Sequence, residues 1–414
     1  MKRVLSIMLA LFFKVAFGTS ILIPMDESQS NHLKAYGLAF FALKKDISVD
    51  WLLNYRGGSF LITFSATVDS ESKIRGVYTE FITERQVNAI LTQISSPAVN
   101  MNVVRMDKAP RIAVYSPKNE LINDESDAVI TVLDYAEIPY KIIYDEEILK
   151  DALLEYDWLH LHHEDFTGQV SKGMFRQQNR MEFKMQELTA TRLGYSKVSS
   201  MKYDVVKKIH AFCASGGYLF AMCSGAETFD IALAAEGQDV ESGLATEGIE
   251  LDYTRSLAFE DFNLNGPGDR SFSDINVGGW GWGSDSENDF FTLFDFSAKW
   301  DIVPSILTQN HENMIREFSG LTTTFNTSLV KPEALVMAEN KLKPNVRYIY
   351  GELGKGHWTY YSGHDPEGRH GGGGWGRGMM ARRTDLNLFP HSPGYRLILN
   401  NVLFPSASKK KRKT

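Results

Sequence analysis

Cysteine is almost missing from this chain: Cys213 and Cys223 are the only two in 414 residues. Two thiols cannot build the disulfide framework that small secreted domains rely on. Nor do they suit each other. Cys213 falls in the helical run Val205 to Ala214 and Cys223 at the far end of the strand that follows, and a strand of about six residues spans ~20 Å, beyond a disulfide's reach. Cys213 therefore reads as core and Cys223 as a free thiol. An excess of positive charge is missing too. The formal net charge is -7, which argues against non-specific binding to nucleic acid. Past the first eighteen residues no apolar window approaches a membrane span. What is present, 43% hydrophobic and 23% charged residues, suits a globular protein with a real core.

Residues 1–18 read as an export signal. Lys2 and Arg3 form a charged start, Val4 to Phe13 an apolar run interrupted only afterwards by Lys14, and Ala16-Phe17-Gly18 a small-x-small cleavage site before Thr19. Their removal would take the net charge from -7 to -10. The expected location is periplasmic or extracellular. The basic tail, 405–414, reads as a solvated end.

Residues 19–108 form a first block. A strand at Ile21-Leu22-Ile23, a helix over 31–45, a strand from Trp51 ending in Gly57-Gly58 and a helix over 80–94 alternate, which predicts a small parallel α/β unit. His32 and Arg56 in this block read as solvated loop residues. The second block, 109–404, opens with strands at Arg111 to Tyr115, Tyr140 to Tyr144 and Asp157 to His163, with a helix over 126–136 between the first two. Each βα unit has the size expected in a doubly wound, mostly parallel sheet. From about 235 to 330 the periodicity weakens. Asn276-Val277-Gly278-Gly279-Trp280-Gly281-Trp282-Gly283 reads as a shaped Gly/Trp-rich insertion, since tryptophan is poorly used in disorder. Sheet patterning returns at Ala334 to Ala338 and Arg347 to Glu352, followed by a Gly354-Lys355-Gly356 hairpin turn, an aromatic strand and a closing helix over 394–402.

The centre of the pattern is Tyr218-Leu219-Phe220-Ala221-Met222-Cys223-Ser224-Gly225-Ala226-Glu227. An apolar strand stops at a cysteine flanked by small residues, and helical spacing follows at once. A nucleophile on such a turn projects above the sheet toward the positive end of the next helix, which favours its thiolate. Downstream, Gly363-His364-Asp365-Pro366-Glu367 places an imidazole and two carboxylates just past the end of the aromatic strand. The cluster His162-His163-Glu164-Asp165 ends another strand. In an open α/β sheet ligands bind at the carboxyl ends of the strands, so the three groups are expected to converge.

These residues resemble the class I glutamine amidotransferase-like superfamily, whose elbow is small-x-Cys-x-Gly after a hydrophobic strand; Ala221 stands where that family usually has glycine, and Gly225 matches. The Gly-Lys-Gly and Gly-His-Asp run is also similar to the trehalose-utilisation-like branch of that superfamily, which need not use a cysteine. The resemblance covers about residues 110–404 and implies a flavodoxin-like sheet. It implies Cys223 as nucleophile, His364 as base, and Glu367 or Asp365 as the carboxylate that orients the imidazole. The family spacing is His-x-Glu, and here Glu367 stands one residue further on. By the same resemblance His163 and Glu164 border the oxyanion pocket; His162, Ser224, Gly225, Trp280 and Trp282 complete the candidate substrate-binding residues.

Two functions compete. One is a cysteine hydrolase acting on an amide or related acyl bond. The other is a binding module in which His163, Trp280, Trp282 and the loop 368–383 hold a small molecule, glycan or peptide without turnover. No cofactor is expected. His160, His162 and His163 invite a metal, but no spaced Cys or His pair elsewhere completes a ligand set, and no metal site is assigned. Asparagine synthetase chemistry is excluded, because Ser215-Gly216-Gly217 is followed by Tyr218-Leu219-Phe220 rather than by the rest of a pyrophosphate loop.

Overall fold

The structure, a computed structural model, describes residues 19–116, 127–161, 164–168, 179–236, 238, 249–266, 271–277, 290–308, 313–316, 324–343, 345–367 and 383–407. The export segment, His162, His163, Trp280, Trp282, the loop 368–382 and residues 408–414 lie outside these.

The N-terminal unit runs β1 (Ser20–Ile23), α1 (His32–Lys44), β2 (Val49–Leu53), β3 (Ser59–Thr63), α2 (Ala66–Arg75), β4 (Glu80–Ile82), α3 (Glu84–Ser95) and β5 (Asn102–Met106). Its sheet has the order β4-β1-β3-β2-β5, and every pairing in it is antiparallel. This corrects the parallel unit expected from the alternation of elements. The physical reason is the connection between β2 and β3: a parallel return needs a crossover of a dozen or more residues, whereas here the chain reverses within residues 54–58. Asn54, Arg56, Gly57 and Gly58 all take positive φ in that turn, and two of the four are glycines, which adopt it without a steric penalty. The stretch expected to be one helix from residue 80 is strand β4 and then α3, whose start is set by a Thr83–Gln86 capping box. On one face of this sheet Leu22, Leu52 and Leu61 pack on Ile90 and Ile94 of α3, residues one helical turn apart.

The remaining elements are β6 (Ile112–Tyr115), α4 (Ala128–Tyr135), β7 (Lys141–Ile143), α5 (Asp145–Leu149), β8 (Trp158–Leu161), α6 (Asn179–Arg192), α7 (Val198–Ser215), β9 (Tyr218–Met222), α8 (Ser224–Ala235), β10 (Phe290–Leu293), α9 (Pro304–Leu307), β11 (Met314–Arg316), β12 (Phe325–Asn326), β13 (Leu335–Asn340), β14 (Asn345–Leu353), β15 (Gly356–Tyr361) and α10 (Pro393–Leu403). They build a mixed sheet in the order β11-β10-β13-β14-β15-β9-β8-β6-β7, with β12 beside β14. From β15 to β7 the pairings are parallel. From β11 to β15 they are antiparallel. The sheet is therefore mixed rather than mostly parallel, because the segment read as an insertion and the β14–β15 hairpin add antiparallel strands to one side of it.

Side chains alternate across the strands, and the core divides accordingly. Ile112, Val114, Trp158, Phe220, Met222 and Tyr361 face α4 and α10. Ala113, Tyr115, Leu159, Leu161, Leu219, Ala221 and Tyr360 face α5, α7 and α8. Among the described residues no helix is long and apolar enough to cross a membrane.

The first of these clusters continues without a break into α1 and the strands of the N-terminal unit. Three polar side chains fasten the join. On α10, the buried Arg396 donates from Nε to the Tyr36 hydroxyl of α1 (3.0 Å) and from Nη2 to the carbonyl of Gly57. Asn400 accepts from the Tyr36 hydroxyl and donates to the carbonyls of Ile306 (2.8 Å) and Thr308 (2.9 Å). Beside β5, Asn100 pairs with the 296–298 backbone through both its amide groups, at 2.7 Å each.

Tyr36→Phe removes the hydroxyl that both Arg396 and Asn400 use. Leaving buried polar groups short of a partner costs about 1–3 kcal/mol, and with a shared core the loss should lower a single unfolding transition for the whole chain. Calorimetry checks this; two separate transitions would contradict the shared core.

Candidate functional site

Strand β9 ends at Met222, and α8 starts two residues later. Cys223, between them, adopts φ 53° and ψ -138°, a backbone conformation that residues other than glycine rarely take and that usually marks strain or function. Its two neighbours in the sheet are β8 and β15, both parallel to β9. Leu161 pairs with Ala221 and Tyr361 with Met222. The register brings the turn after β8, which holds Glu164, and the turn after β15, which holds His364, Asp365 and Glu367, to either side of Cys223.

Each of these side chains has a distinct setting. Cys223 is fully buried and packs with Phe220 and Met222 on the α10 side of the sheet. Ser224 and Gly225 are buried in the first turn of α8. His364 is partly buried. Asp365 accepts hydrogen bonds from the Tyr395 hydroxyl (2.8 Å), the Thr384 hydroxyl (2.5 Å) and the Glu367 amide (2.9 Å). Glu367 accepts from the Ser392 hydroxyl at 2.6 Å. The two carboxylates thus fasten the turn after β15 to α10 and the segment before it. Glu164 is buried, and its carbonyl accepts from the Thr228 hydroxyl at 2.6 Å. That hydroxyl in turn accepts from the Phe166 amide, so Thr228 clamps the turn after β8 onto α8.

His160, one of the imidazoles that invited a metal, lies in the core. Its ring is stacked beside Trp158 and tilted against Phe220, with Nδ1 3.1 Å from the Phe220 carbonyl and Nε2 3.2 Å from Asp127. Asp127 also caps α4, so the ring sits against the start of that helix. No group of three potential metal ligands occurs among the described residues. Cys213 is buried in α7, and burial pushes its thiol up to about 12, which leaves it unreactive. A buried Lys202–Asp145 pair at 2.9 Å closes the ends of β6 and β7 and also engages the Tyr115 hydroxyl. Burial, then the Asp145 and Glu164 charges, drive the Tyr115 hydroxyl far above its usual range.

Sequence reasoning passed over the residues that hold α8. All twelve residues of this helix are buried, including the polar Ser224, Glu227, Thr228 and Asp230. Asp230 accepts from the amides of Leu257, Ala258 and Phe259 at 2.8 to 2.9 Å and from the Tyr360 hydroxyl at 2.7 Å. Burial raises its carboxyl, and these donors pull it back. Glu227 accepts from the amide and hydroxyl of Ser273 at 2.8 and 2.7 Å. The available signal was Glu227, Thr228 and Asp230 within an otherwise apolar run, since polar groups buried there require partners.

No family model and no curated protein sequence matches this chain. Among solved structures it is similar to STM3548, a cytoplasmic protein of Salmonella typhimurium, at 11% identity and a TM-score of 0.37, over 72% of this chain and 100% of that one. It is similar to STM1381, a cytoplasmic protein of Salmonella typhimurium LT2, at 10% identity and a TM-score of 0.31, over 61% and 87%. It is also similar to a β-galactosidase from Bacillus circulans sp. alkalophilus at 14% identity and a TM-score of 0.25, over 64% and 30%. Likeness at this level assigns neither fold nor function.

Asp230→Ala would strip four donors of their buried acceptor at once. The expected loss is on the order of 3–5 kcal/mol, read by urea unfolding. Native-state hydrogen exchange should show the amides of 257–259 losing protection before the strands do; unchanged protection there would contradict the anchoring role.

Proposed function

We propose that this chain is an exported class I glutamine amidotransferase-like protein that uses Cys223 to hydrolyse an amide or related acyl bond. One observation carries the reading: Cys223 occupies a positive-φ turn at the carboxyl end of the middle of three adjacent parallel strands. A thiol so placed stands at the N-terminus of a twelve-residue helix, whose partial positive charge favours the thiolate and a developing oxyanion. The parallel half of the sheet, β7-β6-β8-β9-β15, runs in the chain order 2-1-3-4-5 with helices on both faces. That order supports the flavodoxin-type assignment. Export rests on the charged, apolar and small-residue segments before Thr19.

In the proposed reaction His364 takes the Cys223 proton, and the thiolate attacks the carbonyl carbon. The tetrahedral oxyanion faces the amides of Ser224 and Gly225. When the carbon–nitrogen bond breaks, His364 returns the proton to the departing amine and a thioester remains. Water, deprotonated by His364, then attacks the thioester, releasing the acid and restoring the thiol. Glu367 or Asp365 would act on the imidazole through the turn they hold. Glu164, with His162 and His163 beside it, would wall the pocket, and Trp280 and Trp282 would face the substrate.

The burial of Cys223 favours a second reading, a pocket that holds a small molecule, glycan or peptide without turnover. Alkylation separates the two. In a Cys213→Ala background, iodoacetamide should label Cys223 faster at neutral pH than a model thiol, with a pKa below about 8.5, and His364→Ala should slow it at least about tenfold. Labelling slower than a model thiol and indifferent to His364 would leave the binding module.

A further inference from the structure

Three adjacent strands meet the edge of the sheet in one row at Cys223. Met222 of β9 pairs with Tyr361 of β15, and Tyr361 with Tyr348 of β14. The next position in that row therefore holds Cys223, Ser362 and Arg347. The Ser362 amide donates to the carbonyl of Arg347 at 2.8 Å, which carries the register one residue past the end of β15. From there β12 continues along the same edge of β14, because β13 occupies the other. Phe325 pairs with Val346, so Thr324 also comes opposite Arg347. Neighbouring strands lie about 4.8 Å apart, which puts the backbones of Arg347 and Cys223 about 10 Å from each other.

Arg347 is the extra residue of a β-bulge. On the facing strand Ala338 pairs with Tyr348 and Glu339 with Val346, which leaves Arg347 between them. Bulges re-aim a side chain and gather beside functional sites. The residue is 1% exposed, and a guanidinium keeps its charge even when buried, so a fixed positive charge stands at this edge. The second, independent sign is a pair of hydroxyls. Thr324 Oγ1 and Ser362 Oγ, each on a residue 2% exposed, are buried without a hydrogen-bond partner. Buried hydroxyls are normally partnered, and an exception calls for a role. The proposed hydrolysis uses none of these three side chains.

We propose that the substrate of the Cys223 site is acidic, and that Arg347 holds its carboxylate together with the Ser362 and Thr324 hydroxyls. This rests on the reading of Cys223 as the nucleophile and adds a substrate class to it. A guanidinium fork matches a carboxylate in shape and charge. The carboxylate accepts about four hydrogen bonds, which leaves room for two hydroxyl donors beside the fork. With the two backbones about two strand spacings apart, a short acyl chain joins that carboxylate to the carbonyl that Cys223 attacks.

A charged and a neutral alkylating reagent test the proposal in the full chain carrying Cys213→Ala. Iodoacetate has a carboxylate where iodoacetamide has an amide. The ratio of their rates at Cys223, divided by the same ratio for a model thiol, therefore reads the attraction of an acid to the site. A buried positive charge within about 8 Å should raise that quotient at least about tenfold. Arg347→Met should return it to about one. Should that variant fail to fold, Ser362→Ala combined with Thr324→Val removes two hydroxyls that bond nothing within the fold, and should lower the quotient at least about threefold. Slow labelling by both reagents with a high quotient would end the nucleophile reading and leave an acid-binding pocket. Fast labelling by iodoacetamide with a quotient near one would keep the nucleophile and overturn the acid site. A quotient that these substitutions leave unchanged, or a Cys223 that neither reagent reaches, would overturn it as well.

Discussion

The turn at Cys223 is the constraint from which the rest of the main unit follows. Strand β9 lies between two parallel neighbours and must keep register with both until Met222, yet α8 begins at Ser224 and returns over one face of the same sheet. One residue makes the reversal, and it does so with positive φ. Such a conformation survives only where surrounding structure over-determines it. Here that structure is the pair of flanking strands and the clamp from Thr228 to the turn after β8.

Helix α8 is the second consequence. Because it is buried on every side, it has no solvent face on which to keep polar residues. Glu227, Thr228 and Asp230 are instead spent on fastening other segments to it. The stretch that breaks the βα rhythm after residue 235 is thereby attached at Ser273 and at 257–259, close to the carboxyl edge of the parallel strands. Its later part supplies β10 and β11. A region with weak periodicity thus contributes both a sheet edge and the partners of the polar groups on α8.

Helix α10 plays the matching part on the other face. It covers the sheet with apolar residues and carries Arg396 and Asn400 into the N-terminal unit. It also receives Asp365 and Glu367 through Tyr395 and Ser392. The candidate catalytic turn and the junction between the two units are therefore tied to one helix, so a change at either end has a short mechanical route to the other.

The local sequence determined a good deal. The strand-to-helix turn at Cys223, the β14–β15 hairpin at Gly354, the strands β6, β7 and β8, and the core position of Cys213 were all legible, because each depends on the spacing of apolar residues and turn formers within one segment. The direction of the N-terminal strands was not, since alternating elements look alike whether a strand pairs with its neighbour parallel or antiparallel. The antiparallel strands β10 and β11 at the edge of the main sheet were hidden for the same reason. The employment of Asp365 by Tyr395 and Thr384, of Asp230 by three distant amides, and of His32 by the Asp26 carbonyl and the His391 ring likewise belongs to the tertiary structure. A side chain's chemistry is written in its own position, but the partner that uses that chemistry is chosen only when remote parts of the chain are packed against it.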